Sequence, residues 1–143
     1  MFSNYLSNKM IDWILRGQVF TPPATVYLAL ATTVFTADGG GVEVAGGSYA
    51  RVASPCSLAE WAGTQAAAST TLSTGTSDAT SNNAAITFPA PTAAWGTVLG
   101  LGLWDAPTGG NLLLFGPLTV PKVINSGDPA PAFAPAALNL MFS

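Results

Sequence analysis

The sequence predicts a mainly β domain, a β-sandwich or open β-barrel of short antiparallel strands with one N-terminal amphipathic helix. Three observations predict it. Apolar residues alternate with small or polar ones over several short stretches, clusters of Gly, Pro, Asn and Asp separate those stretches, and a helical period occurs only near the start. Leu, Ile, Val and Phe make up about a quarter of the 143 residues, above the roughly 20% below which chains stay disordered. A chain of this length is expected to form one domain over residues 1–143.

Over residues 4–16, Leu6, Met10, Trp13 and Ile14 recur at helical spacing, while Lys9, Asp12 and Arg16 occupy other positions of the wheel. Ser3 or Asn4 suits the N-cap, and Gly17 suits the left-handed stop. This helix is expected either to lie as a lid on its own sheet or to dock on a neighbouring subunit. After Thr21-Pro22-Pro23 the period becomes two, and Val26, Leu28 and Leu30 share one strand face over residues 25–32. The Gly39-Gly40-Gly41 run lacks the Lys-Ser/Thr that completes a phosphate loop, so it predicts a flexible connection. Residues 46–52 resume a strand-like pattern.

Residues 62–83 are built from Ala, Thr, Ser, Gly and Asn, with Leu72 the only large apolar residue and Asp78 the only charge. Such a segment buries too little area to offset the entropy of ordering it. It is expected to be a loop or arm held by a neighbour, cleaved by protease in the free protein and protected in an assembly. Residues 84–88 then read as a short strand. Residues 97–115 give the clearest hairpin, because Leu99, Leu101 and Leu103 share a face, Gly100 and Gly102 oppose them, and residues 105–110 carry turn chemistry. Glycine at alternate positions lets a ring or a second backbone approach the sheet closely. Trp95 and Trp104 are expected to pack between strands. A last pairing is expected between Leu118-Thr119-Val120 and residues 132–134 with 138–142, across a turn at residues 125–129.

Composition excludes more chemistry than it offers. There is no His, and lone Cys56 has neither a disulfide partner nor the ligands of a zinc site, so no metal and no cofactor are expected and Cys56 reads as a small apolar filler. The carboxylates Asp12, Asp38, Glu43, Glu60, Asp78, Asp105 and Asp128 are dispersed. Asp105 and Asp128 sit where Asp side chains bond turn backbone. Lys9 and Lys122, the only bases available to a Ser or Thr nucleophile apart from carboxylates, lie outside any Ser-x-x-Lys arrangement, so no catalytic residues and no enzyme are expected. Four cations and a net charge of −3 argue against nucleic acid as a partner. Apolar runs fall short of the roughly 20 residues of a spanning helix, so no membrane is expected, and no basic leader precedes an apolar stretch at the N-terminus.

Only 8% of the residues are charged, against about 25% in ordinary domains. With so few ionised groups, apolar surface must be exposed, and large apolar patches mark interaction sites. The expected interface residues are Tyr5, Trp13, Tyr49, Arg51, Trp61 and Leu72, with Tyr49 and Arg51 on a strand edge near a neighbour.

Several segments in order, Ser3-Asn4-Tyr5-Leu6, residues 23–30, Gly46-Gly47-Ser48-Tyr49-Ala50-Arg51, residues 85–89, Trp95-Gly96-Thr97-Val98 and residues 109–113, resemble a family of small tailed-bacteriophage virion proteins. That family is variously labelled tail fibre, minor capsid or head decoration. The resemblance implies a structural part of the particle, located in the virion after assembly in the host cytoplasm. The first expectation is a capsid cement or decoration protein, a homo-oligomer with a trimer as the guess, bound to the major capsid protein. A neck, tail or fibre-base part is the alternative. A glycan-binding fibre module is a further one, and it needs Trp or Tyr rings exposed beside a carboxylate.

Overall fold

One antiparallel sheet organises the chain, and the computed structural model describes residues 1–142 of it. The fold is mainly β, 35% strand and 8% helix, sandwich-like and not closed into a barrel. Helix α1 spans Asn4–Leu15. The strands are β1 (Thr25–Thr33), β2 (Val42–Glu43), β3 (Val52–Pro55), β4 (Ala79–Ser81), β5 (Ile86–Thr87), β6 (Gly96–Trp104), β7 (Leu112–Ile124), β8 (Ala132–Phe133) and β9 (Asn139–Met141). In the main sheet β1 and β6 are central, β7 flanks β6, and β2 and β3 follow one another along the far edge of β1.

The alternation expected of β1 is what the sheet uses. Leu28 lies opposite Leu103 and Leu30 opposite Leu101, so these leucines with Val26 and Leu114 form the floor of the main core. Two small ladders, β4–β9 and β5–β8, lie outside the main sheet, and Ile86 of β5 and Leu138 beside β9 belong to the same core. The other face is flat because Ala29 opposes Gly102 and Ala31 opposes Gly100. Phe35 occupies that flat surface with Leu112 and Phe115. A Cβ added to Gly102 would stand 2.7 Å from Phe35 Cδ2 and 2.9 Å from Leu112 Cδ1. Gly102→Ala is therefore expected to lower stability by about 1–3 kcal/mol through overpacking, read as an earlier midpoint in urea. An unchanged midpoint would mean that Phe35 does not sit on Gly102.

The N-terminus is sewn to the sheet. Phe2 bridges to Leu114, the Ser3 N–H donates to the Leu113 carbonyl at 2.9 Å, and the Phe115 N–H donates to the Met1 carbonyl at 3.0 Å. Ser3 is buried, caps α1 by accepting from the Leu6 N–H at 3.1 Å, and donates its hydroxyl proton to the Leu112 carbonyl. The helix stops as expected, with Arg16 at the C-cap and Gly17 at φ +68.

Several expectations need correction. Residues 46–51 are not a strand, because Gly46, Gly47 and Ser48 all have positive φ and turn the chain before β3 begins at Val52. Leu99 is 36% exposed and Val98 takes the core position at 1%. The register shifts there, with Val98 opposite Lys122 and Gly100 opposite Pro117, so the strand face changes within β6 at Leu99, which stands against residues 118–121 of β7. Leu118-Thr119-Val120 is thus part of β7, and the C-terminal segments pair upstream instead, β8 with β5 and β9 with β4.

Candidate functional site

On the outer edge of β1, the pairing with β3 stops at Leu28 and the pairing with β2 starts at Ala31, which leaves Ala29 and Leu30 between them. Tyr49 closes that gap. Its hydroxyl accepts from the Leu30 N–H at 2.9 Å and donates to Glu43 Oε1 at 2.9 Å. Arg51 holds the same carboxylate with a two-pronged grip, Nε to Oε1 at 2.9 Å and Nη2 to Oε2 at 2.8 Å. Its Nη1 donates to the carbonyls of Ala106 and Gly109 at 2.9 and 2.8 Å, tying down the β6–β7 turn. The guanidinium lies 4.2 Å from the Trp104 ring centroid, and Trp104 meets Phe35 edge to face. Tyr49 stacks on Phe88 and meets Trp95 edge-on, while the Trp95 indole N–H donates to the Gly47 carbonyl at 2.9 Å. Burial pushes the Tyr49 phenol well above its usual range, so it stays protonated as a donor to Glu43. Tyr49 and Arg51, expected to face a neighbour, thus spend their polar atoms inside the chain.

Residues 62–83 have a different holder from the one expected. Thr64, Gln65, Ser69 and Ser73 bond one another's backbone: the Gly63 N–H donates to Ser69 Oγ at 2.9 Å, the Gly75 N–H to Thr64 Oγ1 at 3.0 Å and the Thr74 N–H to Gln65 Oε1 at 3.2 Å. Hydrogen bonds replace the missing apolar burial, and Leu72 is left 74% exposed at the surface. Between this loop and residues 56–62 lies a hollow of about 470 Å³, lined by Trp61, Thr64, Ser73, Asp78, Thr80 and Phe142 among others. Cys56 is on its wall and exposed, not a buried filler, and partial burial holds the thiol above its ordinary pKa. A second hollow of about 390 Å³ runs between β7 and residues 131–139, apolar apart from Lys122 and a few polar groups.

Helix α1 buries only Leu6. Tyr5 and Met10 lean on the core, and Lys9 Nζ sits 5.7 Å from the Tyr5 ring centroid. Past the first two turns the helix stands clear: Ile11, Trp13, Ile14 and Leu15 are 50–77% exposed, and Val19 beyond the stop is 91% exposed. Of the expected interface residues, Trp13 and Leu72 are at the open surface, while Tyr5, Tyr49, Arg51 and Trp61 are half-buried, with the Arg51 side chain 6% exposed.

Several carboxylates carry structural duties. Asp105 accepts from the Asn111 N–H at 2.7 Å and from its side-chain amide at 2.8 Å, and Asp128 accepts from the Asn125 N–H at 2.8 Å, as the turn chemistry predicts. Asp12 pairs with Arg16 at 2.7 Å. No group of metal-ligating side chains occurs among the described residues, and no helix among them is long and apolar enough to cross a membrane. Glu43 and Asn82, which each gather several part-buried side-chain hydrogen bonds, carried no local signal beyond their polarity.

A β-rich body with the Glu43–Arg51 pair held within it and a bare apolar helix end defines a structural module with surface left for partners. The chain belongs to the family of podophage GP4 fiber I protein gp80, whose model matches residues 1–141. It is therefore a structural protein of the tailed-phage virion. No curated protein matches the chain.

Proposed function

We propose that this protein is a non-enzymatic building block of a podophage tail fibre or fibre base, joined to further copies and other virion proteins through the free end of α1. The observation that supports the reading is the C-terminal half of that helix, where four large apolar side chains face solvent. Burying them against a neighbour contributes about 1.5–3 kcal/mol per side chain, and a standard interface takes about 800 Å² from each partner. The family description favours a fibre over the capsid cement role, and with it the major capsid protein gives way to fibre and tail proteins as the partners.

Antibody labelling of intact particles locates the chain, with the label expected at the tail; even labelling over the shell would restore the cement reading. Mass measurement by light scattering is expected to show an oligomer of the 14.5 kDa chain, the trimer being the guess to test. Ile14→Asp, at a position 62% exposed and outside the core, is expected to leave the fold intact and weaken self-association by tenfold or more, about 1.4 kcal/mol. An unchanged oligomer would remove α1 from the interface.

A further inference from the structure

We infer that the free end of α1 seats in the apolar groove between β7 and residues 131–139 of a second copy of this chain. The inference rests on the reading of α1 as an interface and adds the receiving surface to it. The helix supplies a ridge: Ile11, Ile14 and Leu15 stand at positions i, i+3 and i+4 and are 50–77% exposed, the spacing by which a helix lays side chains into a groove. Leu6 is the only fully buried residue of α1, so one chain leaves this ridge uncovered. Lys9, Asp12 and Arg16 fall on a different arc of the wheel, where Asp12 holds Arg16 at 2.7 Å, and the ridge itself is uncharged.

The groove is the concave counterpart. It holds about 390 Å³ and adjoins a further hollow of about 360 Å³, with Leu101, Pro117 and Asn139 lining both. An apolar cavity of about 150 Å³ admits a benzene ring, so the groove has room for the aliphatic side chains of the ridge. Leu118, Val120, Ile124, Phe133 and Leu138 are among its lining residues, and Val120 is 73% exposed there. Pro117 and Pro121 bracket the stretch of β7 that stands outside the β6 register, and residues with a fixed φ and no N–H make that wall stiff and a poor edge for an added strand. A helix is the better occupant. Charge selects this helix, because Lys122 is the sole ionised residue of the lining and belongs to neither ion pair found among the described residues. Among those residues no backbone N–H is bonded to the carbonyls of Trp13, Ile14 or Leu15, so the ridge ends in the negative pole of α1. A second copy thus brings to the groove both an apolar ridge and a counter-charge for Lys122.

The test is a mixing experiment on two full-length variants, each weighed by sedimentation alone and together. Ile14→Asp spoils the ridge and spares the groove, whereas Val120→Asp spoils the groove and spares the ridge. Each alone is expected to self-associate about tenfold more weakly than the parent, or weaker still. The equimolar mixture is expected to recover a complex of twice the 14.5 kDa chain mass, because one intact ridge and one intact groove remain in it. With the groove left as it is, a benzophenone side chain in place of Leu15 is expected to photo-crosslink to residues 117–122 or 131–133 of a second copy; should Val120→Asp unfold, this crosslink decides. Undiminished self-association in Val120→Asp, a mixture no heavier than its parts, or crosslinks confined to other residues would overturn the groove while the α1 interface stands. A parent chain that stays a monomer would overturn the second copy as occupant. An Ile14→Asp variant as associated as the parent would overturn the α1 interface and the groove together, so the two readings fail on different results.

Discussion

Replacing Arg51 with alanine is expected to cost about 3–5 kcal/mol, the range for removing one partner of a buried ion pair, out of the roughly 5–15 kcal/mol that holds a domain together. The Arg51 side chain is 6% exposed and that of Glu43 26%, so the lower half of the range applies. The loss has three physical parts: Glu43 is left charged and half-buried, the Ala106 and Gly109 carbonyls lose their donor, and the face of Trp104 is stripped of its cover. Arg51→Lys should not restore stability, since a single ammonium cannot grip both carboxylate oxygens, reach two carbonyls and stack on a ring. Glu43→Gln combined with Arg51→Met should be less damaging than the sum of the two single changes, because the pair then loses its stranded charge. Urea unfolding of Arg51→Ala, Arg51→Lys, Glu43→Gln, Arg51→Met and the double variant measures this. Additive losses, or an Arg51→Ala midpoint equal to that of the parent, would show that the cluster contributes little.

The same cluster marks the boundary of what the sequence could reveal. Where a local rule is sufficient, the expectation and the structure agree: Ser3 and Gly17 bound α1, β1 alternates, Asp105 builds its turn, and Gly102 of β6 receives the Phe35 ring. The failures share one cause, in that the deciding partner lies far along the chain. Ser48-Tyr49-Ala50-Arg51 alternates like a strand, but Tyr49 is needed as a plug for the β1 edge and Arg51 as a strut under a turn 55 residues away. The face of β6 changes at the irregular pairing between Val98 and Gly100, where Leu99 stands against residues 118–121 of β7, far along the chain. Residues 62–83 lack apolar area, and their order comes from hydroxyl and amide side chains meeting nearby backbone, a pattern that hydrophobic periodicity does not register.

Asn82→Ala is expected to be the other severe change, and its damage should be local. Asn82 is 1% exposed and works as a double-sided clasp. Its side-chain amide donates to the carbonyls of Ala84 and Ala134, each at 2.9 Å, and its side-chain oxygen accepts from the Leu138 N–H at 2.9 Å. Its own carbonyl accepts from the Ala136 N–H at 2.7 Å, at a residue held at φ +63. An alanine keeps the last bond and abandons the other three, and a buried polar group left unmet costs about 1–3 kcal/mol, so a loss on the order of 3–5 kcal/mol follows after partial rescue by water. Asn82→Asp has the same shape but turns an acceptor toward two carbonyls, so it should do no better at neutral pH. What comes free is the segment 132–142, because β8 and β9 each bring two or three residues to their ladders and Asn82 is the clasp between them. Hydrogen exchange is therefore expected to quicken at Ala136, Leu138 and the β8 and β9 amides while β1, β6 and β7 keep their protection. Uniform loss across the main sheet would show instead that the C-terminal segment and the sheet unfold as one unit.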